Sequence, residues 1–170
     1  LGLGMIFINQ EGREPLGIVP PEEAAAVLAE IRDKFVGCVD AETGMVAGHE
    51  AVLIDDIYEG PYRDRCADMM LGFEEYFRVS WATAGGKLKL KKNAETGFYE
   101  IGPDFNDTSN NWSGDHASVA PGIVQGIFFS NRPVELPADG VSVLHLAPTV
   151  LETAGVAIPA AYDKPALKFR

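Results

Sequence analysis

Met5-Ile6-Phe7-Ile8-Asn9, then Pro20-Pro21-Glu22-Glu23-Ala24 and an apolar stripe running to Phe35, decides the fold class. Five short, β-prone residues read as a buried strand. Gln10 to Gly17 is polar, holds Gly12, Pro15 and Gly17, and reads as a connection. Proline at a first turn with acids beside it marks a helix N-terminus, because the ring fixes φ and the carboxylates face unpaired N–H groups. The spacing predicts a helix from about Pro21 to Val36. Ala24, Val27, Leu28, Ile31 and Phe35, extended by Val36, form its apolar face, and Gly37 stops it.

Outward from that unit, Asp40 to Gly44 reads as a turn, Ala51 to Ile54 as a strand and Asp55-Asp56 as its exit. Pro61 to Arg65 is a polar loop, Met69 to Phe73 a short strand, and Phe77 to Trp81 a further extended piece. Lys87-Leu88-Lys89-Leu90-Lys91 alternates with period two and predicts a half-exposed strand in a surface hairpin with Phe98 to Ile101. Asp104 to Gly114 reads as loop, Ile123 to Ser130 as a buried strand, and Val141 to Thr153 contains a short helix with Pro148 in its first turn and Gly155 beyond its end. Strands alternating with helices predict an α/β layered sheet. No repeat or linker divides the chain, so residues 1–170 are expected to form a single α/β segment.

The net charge of −11 repels phosphate backbones and argues against a nucleic-acid polymer as partner. A small anionic substrate is still compatible, since a bound cation reverses the potential locally. No apolar run reaches the about 18–20 residues of a membrane span. Cys38 and Cys66 have no metal-ligand spacing and read as buried or half-buried thiols. The opening Leu1-Gly2-Leu3-Gly4 runs straight into a strand, which predicts a segment of a longer protein.

Chemistry concentrates in Asn110-Asn111-Trp112-Ser113-Gly114-Asp115-His116-Ala117-Ser118, where an acid and an imidazole adjoin at the end of a glycine-containing loop. Such loops are where α/β sheets bind ligands, and neutral imidazole suits zinc. A surface turn with a capping Asp is the plainer reading of the dipeptide. His49 reads as an exposed turn residue, and His145 as a packing or capping residue where a helix begins. No Gly-x-Ser-x-Gly, Walker A or His-Glu-x-x-His pattern is present.

Gly4-Met5-Ile6-Phe7-Ile8-Asn9, Gly12-Arg13-Glu14-Pro15 and Gly17-Ile18-Val19 resemble a stretch of the type I phosphodiesterase and nucleotide pyrophosphatase family, within the alkaline phosphatase superfamily. So do Tyr58 to Tyr62, Ala67-Asp68-Met69-Met70, Tyr76-Phe77-Arg78-Val79-Ser80-Trp81 and Trp112-Ser113-Gly114-Asp115-His116. Phe129-Ser130-Asn131-Arg132-Pro133 and Leu146-Ala147-Pro148-Thr149-Val150-Leu151 complete the order. The resemblance covers most of the chain. It implies the C-terminal portion of a three-layer αβα sandwich, and an enzyme that hydrolyses phosphodiester or pyrophosphate bonds in small nucleotide-like substrates. Two divalent ions, usually zinc, serve a Thr or Ser nucleophile in such enzymes. His116 matches the family's late metal-binding histidine, and Asp115 falls where relatives usually carry no ligand. The nucleophile and the middle Asp-His ligands have no counterpart in these 170 residues, so the segment itself is expected to be inactive. His145 stands where relatives tend to have an acid. The alternative is a noncatalytic binding or interaction module that retains the scaffold. A sulfatase or phosphomutase relative is a weaker match within the superfamily.

Overall fold

The computed structural model describes residues 4–80, 90–101, 105 and 119–170. It mixes helices with small sheets, and the β-strands of those sheets pair antiparallel. The chain separates into two compact units, Leu1–Val124 and Gln125–Arg170.

The first unit is built on three strands: β1 (Met5–Ile6), β2 (Gly48–Leu53) and β3 (Met69–Phe73), in the order β1-β3-β2. The expected strand at Met69–Phe73 forms with those limits and lies at the centre. Its Met69 is fully buried, joined in the core by Ile8, Ala47, Ile54, Ala67 and Ala120. The expected helix also forms, as a 3-10 turn over Pro21–Glu23 leading into α1 (Ala24–Phe35). Ala24, Val27, Leu28, Ile31 and Phe35 are all half-buried, while Val36 leaves the helix in an extended conformation. Gly37 follows at φ 78°, a left-handed stop that favours glycine.

Of the expected hairpin, Leu90 and Lys91 and the later stretch to Ile101 are described, while Lys87 to Lys89 lie outside the described residues. β4 (Leu90–Lys92) pairs antiparallel with β5 (Tyr99–Ile101), Leu90 opposite Ile101. The expected extended piece from Phe77 has no regular structure through Ser80.

The largest departure is Ile123 to Ser130. It forms no strand: the Ile123 and Val124 amides turn back to the Ala120 carbonyl, and Ile127 and Phe129 stand 82% and 88% exposed. A continuous apolar run becomes a strand only where neighbouring strands complete its hydrogen-bond ladder, and no described strand runs beside this one.

The second unit holds α2 (Leu146–Thr153), entered through a 3-10 turn at Val143–His145, and a two-stranded pairing of β6 (Val134–Glu135) with β7 (Lys168–Phe169). Thr149 ties the helix to the C-terminal chain. Its hydroxyl donates to the His145 carbonyl at 2.5 Å and accepts the Leu167 amide at 2.8 Å. Both Thr149 and Leu167 are buried. Thr149→Val keeps the shape but strands the Leu167 N–H, so a loss of about 1–3 kcal/mol is expected. Urea denaturation followed by circular dichroism measures it. A change below a few tenths of a kcal/mol would show that water satisfies the amide.

Candidate functional site

The histidines and acids sort into three groups. Arg13 and Asp68 make the first. The Arg13 guanidinium donates to both Asp68 oxygens at 2.7 Å and to the Ile8 carbonyl at 2.6 Å, and the Ile8 amide donates to Asp68 Oδ2 at 2.7 Å. Burial pushes the Asp68 carboxyl up. The hydrogen bonds from Arg13 and Ile8, with the Arg13 and Arg63 charges, outweigh it and hold the group below the usual carboxylate range. These bonds tie the segment after β1 to the residue just before β3, so this group is a latch between the two strands.

His145 makes the second. It is 2% exposed, and its Nδ1 accepts the Ser142 amide at 3.0 Å while Ser142 Oγ accepts the Leu144 amide. This reciprocal cap fits the expected capping role.

The third group corrects the expectation for His49. It lies on β2, not in a turn, and its side chain is only 35% exposed. Its Nδ1 lies 2.7 Å from Glu74 Oε1. A carboxylate only accepts, so Nδ1 carries the hydrogen. Strand alternation would send His49 and Glu50 to opposite faces. The register, however, shifts between Gly48 and Glu50: Gly48 pairs with Phe73 and Glu50 with Gly72. This bulge re-aims His49 toward the face of Glu50, Gly72 and Glu74.

The opposite face belongs to α1, through an edge-on contact of Phe35 with Phe73 at 5.3 Å. The His49 face is covered by the turn around Ala120. A Cβ on Gly72 would lie 2.8 Å from Glu50 Cγ and 3.2 Å from Ala120 Cβ, and one on Gly122 would lie 3.8 Å from His49 Nε2. Small residues therefore let the chain close over the bulge. Glu50 Oε1 is buried with no hydrogen-bond partner.

Sequence reasoning missed this group because nothing in Gly48-His49-Glu50 announces a bulge. The one available signal was the spacing of a His and two acids on paired strands. The residue that sequence reasoning did single out for metal binding, His116, lies outside the described residues, as does all of Trp112 to Ser118. No family, curated protein or solved structure matches the chain.

Asp55 and Asp56 form a 3-10 turn after β2, in keeping with their expected place at the strand's exit. Cys38 and Cys66 are free and half-buried. Among the described residues, no three or more His, Cys, Asp or Glu side chains gather closely enough to hold a metal ion. No described helix is long and apolar enough to cross a membrane.

Proposed function

We propose that the chain is the C-terminal part of a metal-dependent phosphodiesterase or nucleotide pyrophosphatase, with a three-layer αβα sandwich completed by chain outside this sequence. The observation that carries this reading is the ordered run of motifs from Gly4 to Leu151, with Trp112-Ser113-Gly114-Asp115-His116 at its chemical centre. In it, His116 donates one imidazole to a pair of divalent ions, zinc in most enzymes of this kind. A single imidazole is too few, since a catalytic zinc takes about three protein ligands and an open position. When bound, such ions lower the nucleophile's pKa and neutralise charge on the phosphoryl oxygens.

Hydrolysis of bis(p-nitrophenyl) phosphate with added zinc tests the reading. The full-length protein is expected to turn over and the 170-residue chain to be silent. His116→Ala in the full-length protein is expected to lower kcat/KM by about 100-fold or more, the scale of losing a group that stabilises transition-state charge. Full activity of that variant, or turnover by the chain alone, contradicts the assignment.

A further inference from the structure

We infer that His145 is a proton-operated latch at the entry to α2, closing the cap while the ring is neutral and opening it when the ring is protonated. The surroundings of Nδ1 carry this. The Ser142 amide donates to Nδ1 at 3.0 Å, and the Ser142 carbonyl oxygen lies 3.2 Å from the same nitrogen. An amide N–H only donates, so the first contact needs a bare Nδ1, and an imidazole with one bare nitrogen is neutral. The second contact needs a hydrogen on Nδ1. The Ser142 carbonyl already accepts the His145 amide at 3.0 Å, and its second lone pair leaves room for the ring. One atom thus stands between a donor and an acceptor of the same residue, and a single proton decides which of them it uses.

A capping box usually places Glu or Gln where His145 stands, and both keep accepting above about pH 5. An imidazole accepts only while neutral, and histidine changes charge between about pH 5 and 8. His145 is buried. Protonation in place would set a buried cation at the positive end of α2, against an N–H it can no longer accept. The cap therefore opens as the ring takes its proton from solvent. The Ser142 amide is released, and Nδ1–H turns to the Ser142 carbonyl. The charged groups around the ring are Asp139, on the loop before the turn, and Lys164, on the C-terminal stretch. Lys164 donates to Asp139 at 2.7 Å, and this bond chiefly holds the Asp139 carboxyl below its usual range, with a smaller share from His145. Asp139 is thus the counter-charge for the protonated ring. The His145 carbonyl accepts the Thr149 hydroxyl, which in turn accepts the Leu167 amide, so movement at the cap reaches the residue before β7. All of these residues belong to the second unit, and the latch does not rest on the phosphodiesterase reading.

NMR of the 170-residue chain between about pH 8 and pH 5 tests the latch. At the alkaline end the ring nitrogens of His145 are expected to report a neutral imidazole with its hydrogen on Nε2. On acidification the Ser142 amide is expected to move upfield with the same midpoint as the His145 ring, and the Leu167 amide to follow with smaller amplitude. Hydrogen exchange at the Ser142 amide is expected to quicken by about tenfold beyond what solvent pH alone imposes, the scale of one lost hydrogen bond. His145→Gln keeps a neutral acceptor, so its Ser142 amide is expected to show no such titration. A His145 ring that keeps one charge state throughout, a Ser142 amide that does not follow the ring, or a Ser142 titration that survives in His145→Gln overturns the latch. Far-UV circular dichroism establishes that the variant is folded. If it is not, the wild-type tautomer and the shared midpoint decide alone.

Discussion

Gly48→Ala is expected to destabilise the first unit by about 3 kcal/mol, the upper end of the cost of overpacking a filled interior. A Cβ there would sit 1.9 Å from the Phe35 carbonyl oxygen and 3.1 Å from Cys38 Sγ. The oxygen belongs to the last residue of α1, and its backbone cannot swing aside. It accepts the Cys38 amide at 3.0 Å, while the Gly48 carbonyl accepts the Gly37 amide at 2.8 Å. The helix end and the first residue of β2 are therefore bonded at van der Waals contact, and only hydrogen fits between them. Gly12→Ala is the control. Gly12 has φ 77° but no atom within 4 Å of a built Cβ, so only left-handed strain of about 1–2 kcal/mol is expected. Urea midpoints at unchanged m-value measure both. Equal losses would mean that α1 shifts away from the sheet and that the contact is not fixed.

That same contact shows what the sequence could and could not disclose. The helix was legible because its cause is local: Pro21 presets φ, acids follow it, apolar residues recur at Ala24, Val27, Leu28, Ile31 and Phe35, and Gly37 ends it. Met69 to Phe73 was legible because a central strand of a small sheet is a short apolar run between polar loops. The hairpin of β4 and β5 was legible at Leu90 and Lys91, the described end of an alternating run. His145 was legible as a packing or capping residue because it stands where a helix begins.

Ile123 to Ser130 was misread for the complementary reason. A buried-strand pattern states what a segment needs, not whether the need is met, and partner strands are a property of tertiary structure. His49 was misread because a bulge depends on register between two strands distant in sequence, Gly48 opposite Phe73 and Glu50 opposite Gly72, which no local pattern encodes. Both failures fall on the elements that flank the candidate site. Its acids, Glu50 and Glu74, drew no notice for the same reason: one is brought beside His49 by a pleat offset and the other from across the sheet.

Asp68→Ala is expected to cost about 2–4 kcal/mol at neutral pH, because it removes one partner and strands the others. Asp68 gathers four hydrogen-bonding events in a small volume. It accepts Arg13 twice and the Ile8 amide once, while its own amide donates to the Ile6 carbonyl at 2.9 Å. Ile8 is buried, so its orphaned N–H finds no water. The guanidinium, 31% exposed against 12% for the Asp68 side chain, recovers some hydration, which keeps the estimate below that of a fully buried pair. The pH dependence separates this mechanism from simple loss of packing. The folded-state pKa of Asp68 is depressed below the unfolded value of about 3.9, so its contribution is fully present above that value and is lost as pH falls through the folded pKa. Glu30, Asp40 and Asp139 are also lowered, chiefly by hydrogen bonds from Lys34, Thr43 and Lys164, and titrate with the same sign. The informative quantity is therefore the difference in unfolding free energy between wild type and Asp68→Ala across the pH range. It is expected to be flat above about pH 5 and to shrink on acidification. A difference that stays constant into strong acid would mean that the ionised carboxylate contributes nothing, and that Arg13 and Asp68 hold β1 to β3 only by filling space.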